Sequence, residues 1–251
     1  MKEIQSIKKY GFDFVEIGIE WPEGSVEKLL KKRKAIIKLL KENKMFAIGH
    51  TAWWMDFSSP YEGVRKAWIK EAKRKIDAAK KLGISQITFH THSRIINQFY
   101  KKYHEEALEN FISSLKELVE YAKKKNVEIL IENAGEWGEI TSFNLIKYIA
   151  YRVPEIKIHL DIGHAYIFGG MKNVKRFILT FKDRIAHLHM HDNRGKKDEH
   201  LPIGKGKINY KTVVKLLKRI SYNGTITFEV FTSRKDAKKS MEKIRKLWEA
   251  S

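Results

Sequence analysis

Cysteine is absent from the 251-residue chain, which removes thiolate catalysis, disulfides and Cys-type zinc sites from consideration. No apolar run is long enough to span a membrane, and Met1 is followed by charged residues instead of the apolar segment of a signal peptide. The expectation is a cytoplasmic protein with no membrane partner. Low-complexity segments, linkers, short repeats and composition shifts are also missing, so residues 1–251 are expected to form one domain with a sizeable core.

What is abundant is positive charge. Fifty Lys and Arg against thirty Asp and Glu give a formal net charge of +20. Such a surface attracts nucleic acid, phosphorylated metabolites and acidic membranes alike. The same lysines also serve simply to solvate outer helices, as in Lys28 to Lys41 and Lys235 to Lys246, so charge alone selects no substrate.

Strand-like and helix-period segments alternate along the chain with short connections. Helices are expected at Glu3–Tyr10, Ser25–Asn43 (with Ser25 as N-cap), Tyr61–Leu82 (stopped by Gly83), Tyr103–Lys125, Thr141–Ala150, Asn173–Phe181, Tyr210–Ile220 and Lys235–Trp248. Strands are expected at Phe12–Ile19, Met45–His50, Ser85–His90, Val127–Asn133, Ile156–Asp161, the run opening at Ile185, and Thr225–Phe231. This alternation argues for an α/β fold with a parallel sheet, most simply a TIM (β/α)8-type barrel. The count is eight helices and seven strands, so the expectation is either that the first strand is missing from this sequence or that the barrel is closed imperfectly. The two sheet edges this leaves should pair or be covered, and a homodimer is one way to cover them.

The chemistry gathers at strand ends. Ile185 to Ile208, IAHLHMHDNRGKKDEHLPIGKGKI, places His187, His189 and His191 on alternate positions, hence on one face of a strand. A turn through Asp192, Asn193, Arg194 and Gly195 leads to Asp198 and His200. Imidazole and carboxylate are donors that zinc, manganese and iron accept without a thiol. A solvated polar loop would read similarly. However, His50, His90, Glu132, Asp161 and Glu229 also close or nearly close apolar strands, and Asp161-Ile-Gly-His164 adds another donor pair. Burying so many acids and imidazoles together without a cation would cost several kcal/mol.

These residues resemble the xylose isomerase-like TIM barrels, the superfamily of endonuclease IV and of ketose epimerases and sugar isomerases. The resemblance runs from Phe12 to the last helix. It implies a shared four-ligand centre, matched by Glu132, Asp161, His189 and Glu229. The endonuclease IV pattern implies up to three zinc ions. His50, His90 and Glu132 would hold one; Glu132, Asp161, His189 and Glu229 a second; His164, Asp198 and His200 a third. That resemblance implies hydrolysis of a phosphodiester 5′ to an abasic site in DNA, with metal-activated water. Trp53 and Trp54 would then stack on exposed bases, or alternatively pack at the barrel mouth or wall off a sugar ring. His92, His187 and His191 are not needed by this pattern and read as supporting or neutral, unless a two-residue register shift puts His191 in the place of His189.

The connections are more compact than the endonuclease pattern asks for, and its loop after the strand histidine differs in its first residues. The alternative is a divalent-metal-dependent sugar or sugar-phosphate isomerase or epimerase. There, Glu132 and Glu229 move a proton about one metal, zinc or manganese, and Arg194 and Lys205 contact a phosphate or hydroxyl. A metal-binding barrel without catalysis is a third class. The endonuclease is the leading expectation.

Overall fold

The computed structural model describes residues 2–91, 104–133, 142–167 and 169–250. Among these, helix α1 is Lys2–Lys9, followed by β1 (Phe14–Ile19), α2 (Val26–Lys31), α3 (Arg33–Glu42), β2 (Phe46–Thr51), α4 (Glu62–Leu82), β3 (Gln86–His90), α5 (His104–Lys124) and β4 (Glu128–Glu132). Then come α6 (Ser142–Arg152), β5 (Lys157–Asp161), α7 (Ile162–Ile167), α8 (Gly170–Thr180), β6 (Ile185–Met190), α9 (Tyr210–Arg219), β7 (Thr225–Phe228) and α10 (Arg234–Glu249). Strand order follows chain order from β1 to β7, the order of an α/β TIM-type barrel. Seven strands are present among the described residues, and the N-terminal segment is helix, as its apolar period predicts. The expected helix starts at Tyr103 and Thr141, and His92, lie outside the described residues.

By contact density the chain divides into two compact units. The first comprises Met1–Ile131 with Gly138–Ile140 and Lys147–Ile156. In it β1 and β2 pair in parallel from Phe14↔Phe46 to Ile19↔Thr51, and β2 pairs β3 at Gly49↔Ile87 and His50↔Thr88. Ile69, Ala72, Ile76 and Ala79 recur at three- and four-residue steps on α4 and are buried, so this face carries the core. Gly83 ends α4 in the left-handed region at φ 78°, a conformation that costs glycine nothing, while Ile84 donates back to the Ala79 carbonyl at 2.9 Å.

The second unit comprises Glu132–Trp137, Thr141–Ile146 and Lys157–Ser251. Here β5 pairs β6 with a shift after Ile158, so that His159 faces His187 and Asp161 faces His189. Strand β6 pairs β7 from His187↔Thr225 to Met190↔Phe228. The Asn209 side chain caps α9 by accepting from the Thr212 N–H at 3.0 Å, and Ser233 caps α10 through the Asp236 N–H at 3.1 Å.

Three expectations change. The helix read as Ser25–Asn43 is two helices, broken at Lys32, where φ and ψ are −95° and 3°. Neither Gly nor Pro marks the break, so the hydrophobic period reads straight through it. Ser25 occupies the N-cap position, but its side chain makes no capping hydrogen bond. The short α7, directly after Asp161, is too brief to show a period of its own.

Candidate metal centre

In the second unit, each strand delivers an acid or imidazole at its C-terminal end. Glu132 is the last residue of β4 and Asp161 the last of β5; His189 is paired to Asp161 in the ladder, and Glu229 follows β7 directly. Three carboxylates approach one imidazole nitrogen: His189 Nδ1 lies 3.8 Å from Glu132 Oε1, 3.8 Å from Asp161 Oδ2 and 3.2 Å from Glu229 Oε2. Glu132, Asp161 and His189 are buried, while the Glu229 side chain keeps 26% of its surface. Asp161 Oδ2 makes no hydrogen bond despite complete burial. Acceptor-only oxygens crowded together out of water repel one another, and a divalent cation is what relieves them. The donor set of three carboxylates and one imidazole fits such an ion on chemistry and on this orphaned oxygen.

The backbone around the centre is pinned by Asn133. Its side-chain amide donates to the Asp161 carbonyl at 3.0 Å and accepts from the Asp161 N–H at 2.7 Å, extending strand-like pairing beyond β4. Asp161 Oδ1 then accepts from the His164 N–H at 2.7 Å. Burial works to raise the Asp161 carboxyl, but the adjacent His164 and His191 imidazoles outweigh it and hold the group below its usual range. Burial likewise opposes the charged form of His164, yet the Asp161, Asp198 and Glu132 carboxylates push its pKa up to about 10. His159, which sequence reasoning did not single out, is also buried here; its ring centroid is 3.9 Å from that of His189, and Nδ1 is 3.7 Å from Glu132 Oε2.

A second group forms beside the first. Donor atoms of His164, His191, Asp198 and His200 all lie within 4.8 Å of one another, as do those of Glu132, Asp161 and His164, and those of Asp161, His189 and Glu229. The loop that carries Asp198 and His200 is organised by the buried Asp192. Its carboxylate accepts from the backbone N–H groups of Asn193 at 2.9 Å, Gly204 at 2.7 Å and Ile208 at 3.1 Å. Asp192 and Leu201 also exchange backbone hydrogen bonds at 2.7 and 2.8 Å. Gly206 fits because a Cβ there would stand 2.3 Å from Asp192 Oδ1.

The model of the xylose isomerase-like TIM barrel family matches residues 4–247. The chain belongs to that family. A Methanocaldococcus jannaschii member, MJ1614, is 36% identical over 66% of this chain, which spans 63% of that protein's length. A protein of Aquifex aeolicus described as a probable endonuclease 4 is 27% identical over 94% of this chain and 88% of its own. The solved structure of a D-tagatose 3-epimerase-like protein is 28% identical, covers 98% of this chain and 92% of its own, and superposes with a TM-score of 0.87.

Against the family pattern, the second unit gathers Glu132, Asp161, His164, His189, Asp198, His200 and Glu229. His50 and His90 meet in the first unit, with ring centroids 4.7 Å apart and edge to face. Trp53 and Trp54, also there, are half exposed and pack edge to face at 5.7 Å, so they are not core. Arg194 stands exposed on the turn after β6, its side chain keeping 59% of its surface. Its guanidinium pairs with Glu199, whose other oxygen accepts the Arg194 N–H at 2.8 Å. Lys205 is exposed in the turn after Pro202. His191 offers a donor atom within 4.8 Å of those of His164, Asp198 and His200. No helix among the described residues is long and apolar enough to cross a membrane.

Proposed function

We propose that this barrel is a divalent-metal-dependent epimerase or isomerase of a small sugar bearing a carbonyl. The observation that carries the reading is the convergence of Glu132, Asp161 and Glu229 on His189 Nδ1, one four-donor centre containing two glutamates from different strands. The relation to the D-tagatose 3-epimerase-like structure supports it over its whole length and outweighs the endonuclease expectation. Three carboxylates and one imidazole accept either zinc or manganese. When bound, the ion supplies Lewis acidity to the oxygens of the substrate.

The chain's own residues account for the rest. Glu132 and Glu229 reach the centre from β4 and from the end of β7, and act as the pair that takes a proton from the carbon beside the carbonyl and returns it. Asp161, fixed through its backbone by Asn133, holds its carboxylate without reorganisation. His159 packs edge to face against His189 and supports its ring. Lys205, Trp53 and Trp54 are proposed substrate contacts on their exposure and chemistry. Association into a homodimer is likewise a proposal, tested by light scattering.

A second reading is a phosphodiesterase acting on DNA with abasic sites. The grouping of His164, Asp198 and His200 favours it, together with the Aquifex relative. Metal-replete protein incubated with a panel of ketoses and ketose phosphates, and separately with an abasic duplex, decides between them. Epimer formation lost in Glu132→Gln supports the proposal; strand cleavage with no sugar turnover replaces it.

A further inference from the structure

We propose that the first unit carries, where β3 and β4 begin, a binding site for a small organic cation: a primary ammonium group on a short alkyl chain. A cavity of about 460 Å³ opens there, within the roughly 300–1,000 Å³ of ordinary ligand pockets. It lies at the strand N-terminal ends, the pole opposite to His90, which closes β3. Gln86 is the first residue of β3 and Glu128 the first of β4; Val119 and Lys123 lie one turn apart near the end of α5, and Glu155 follows α6. Every residue that lines the cavity belongs to the first unit.

The chain as a whole carries a formal charge of +20, yet this cavity holds two carboxylates, Glu128 and Glu155, against one ammonium, Lys123. The place of Lys123 in the last turn of α5 accounts for it, since a cation there complements the carbonyl end of a 21-residue helix. The same helix end adds negative potential at the cavity. Asn126, left-handed at φ 53°, closes the helix by donating its N–H to the Lys123 carbonyl at 3.1 Å, and it also lines the cavity. An anion would meet two carboxylates and the negative end of a dipole, so the field selects a cation.

Two exposed acids on a convex surface would simply be solvated. Here they stand at a recess whose wall is apolar: Val127 and Ile129 are buried and Val119 is half-buried. The Glu128 carboxylate is already oriented. Gln86 Nε2 donates to its Oε2 at 2.8 Å, and its own N–H donates to the Ser85 carbonyl at 2.7 Å. Oε1 receives no hydrogen bond from the described residues, and Glu155 pairs with no cation among them. A ligand with an alkyl stem against the three β-branched side chains and an ammonium group at these oxygens matches both halves of the recess. The inference is independent of the reaction proposed above, and no turnover enters its test.

Metal-replete full-length chain is titrated calorimetrically with 1,4-diaminobutane, and in parallel with 1,4-butanediol, its uncharged counterpart. One amine per chain should bind saturably and more weakly as salt rises, and the diol should not bind. Glu128→Gln combined with Glu155→Gln should weaken amine binding by roughly tenfold or more. Glutamine at 128 keeps an acceptor for Gln86, and an unchanged urea midpoint verifies the fold. Val119→Phe, which fills the recess and leaves both charges, should also block binding. In the wild type alone, amide resonances of Gln86, Asn126 and Glu128 should shift with the amine, a readout that needs no variant to fold. The absence of saturable binding, equal binding of the diol, an affinity unchanged in the double variant, or shifts only elsewhere would each overturn the proposal. So would a wild-type dimer that binds no amine and dissociates in the double variant, which would make the cavity part of an interface between copies.

Discussion

Replacing Asp192 tests how the loop that carries Asp198 and His200 is held. The buried carboxylate is the acceptor for three backbone N–H groups, those of Asn193, Gly204 and Ile208. Asp192→Ala removes all three charge-assisted bonds and leaves the buried Asn193 and Ile208 donors without that acceptor. Each such bond contributes about 1.5–3 kcal/mol, and relaxation or water entry makes their sum sub-additive, so a loss of about 3–6 kcal/mol is expected. Against a total stability of about 5–15 kcal/mol, that is enough to change the folded population or to free the loop locally. Asp192→Asn keeps an acceptor for Asn193 and Ile208 but turns a donor toward the Gly204 N–H, and should cost about 2–3 kcal/mol. Urea unfolding of metal-free protein reads the global change, and hydrogen exchange at Gly204 and Ile208 reads the local one. A loss under about 0.5 kcal/mol for Asp192→Ala, together with unchanged exchange at both amides, would refute the reasoning.

Glu132→Gln and Glu229→Gln should each lower turnover by about 10²–10⁴-fold, because each removes one partner in proton transfer; near-normal kcat in either would remove that residue from the chemistry. Gly163→Ala should displace the buried His191 ring, since its new Cβ would overlap Cε1 at 2.0 Å, and should lower stability in urea unfolding by about 1–3 kcal/mol; an unchanged midpoint would show that the ring is not confined there. In metal-free protein His164 titrates near 10 in the fold against an ordinary 6.5. Its contribution to stability is therefore complete below 6.5 and disappears as pH rises through about 10. Zinc must displace that proton, so zinc affinity should climb over the same interval; a flat affinity profile between pH 7 and 9 would contradict the pairing of His164 with its carboxylates.

Much of the architecture is legible in the sequence because β-branched and apolar runs, Gly83 and the amphipathic faces of α4 and α5 are local signals. What escapes is relational. The break at Lys32 has no residue to mark it, and α7 is shorter than two helical turns. Asn133 reads as an ordinary polar residue at a strand end until Asp161 is placed beside it, and Asp192 reads as a turn residue until Gly204 and Ile208 fold back onto its carboxylate. Gly163 shows no need for glycine in its own backbone; the need arises from the His191 ring. Arg194 was legible as a cation but not as the partner of Glu199 five residues away, because the turn that joins them has no strong pattern.

The alternate histidines of β6 show how one local pattern yields three environments. Period-two spacing turns His187, His189 and His191 inward, and all three are buried. Within the ladder, His187 pairs through Nδ1 with Thr225 Oγ1 at 2.6 Å, directly across from its strand partner. Two residues on, the acids that close β4 and β5 and follow β7 have been reached, and His189 Nδ1 meets three carboxylates. The strand ends at Met190, so His191 faces inward but is no longer bound by the ladder; its neighbours are Gly163 and His200. Alternation therefore determines which way each imidazole points, and the point at which the strand stops determines which side chains it meets. A two-residue shift in register between β6 and β5 would move His191 into the carboxylate centre. The Asp161↔His189 pairing rules out that shift, and with it the reading in which His191 takes the place of His189.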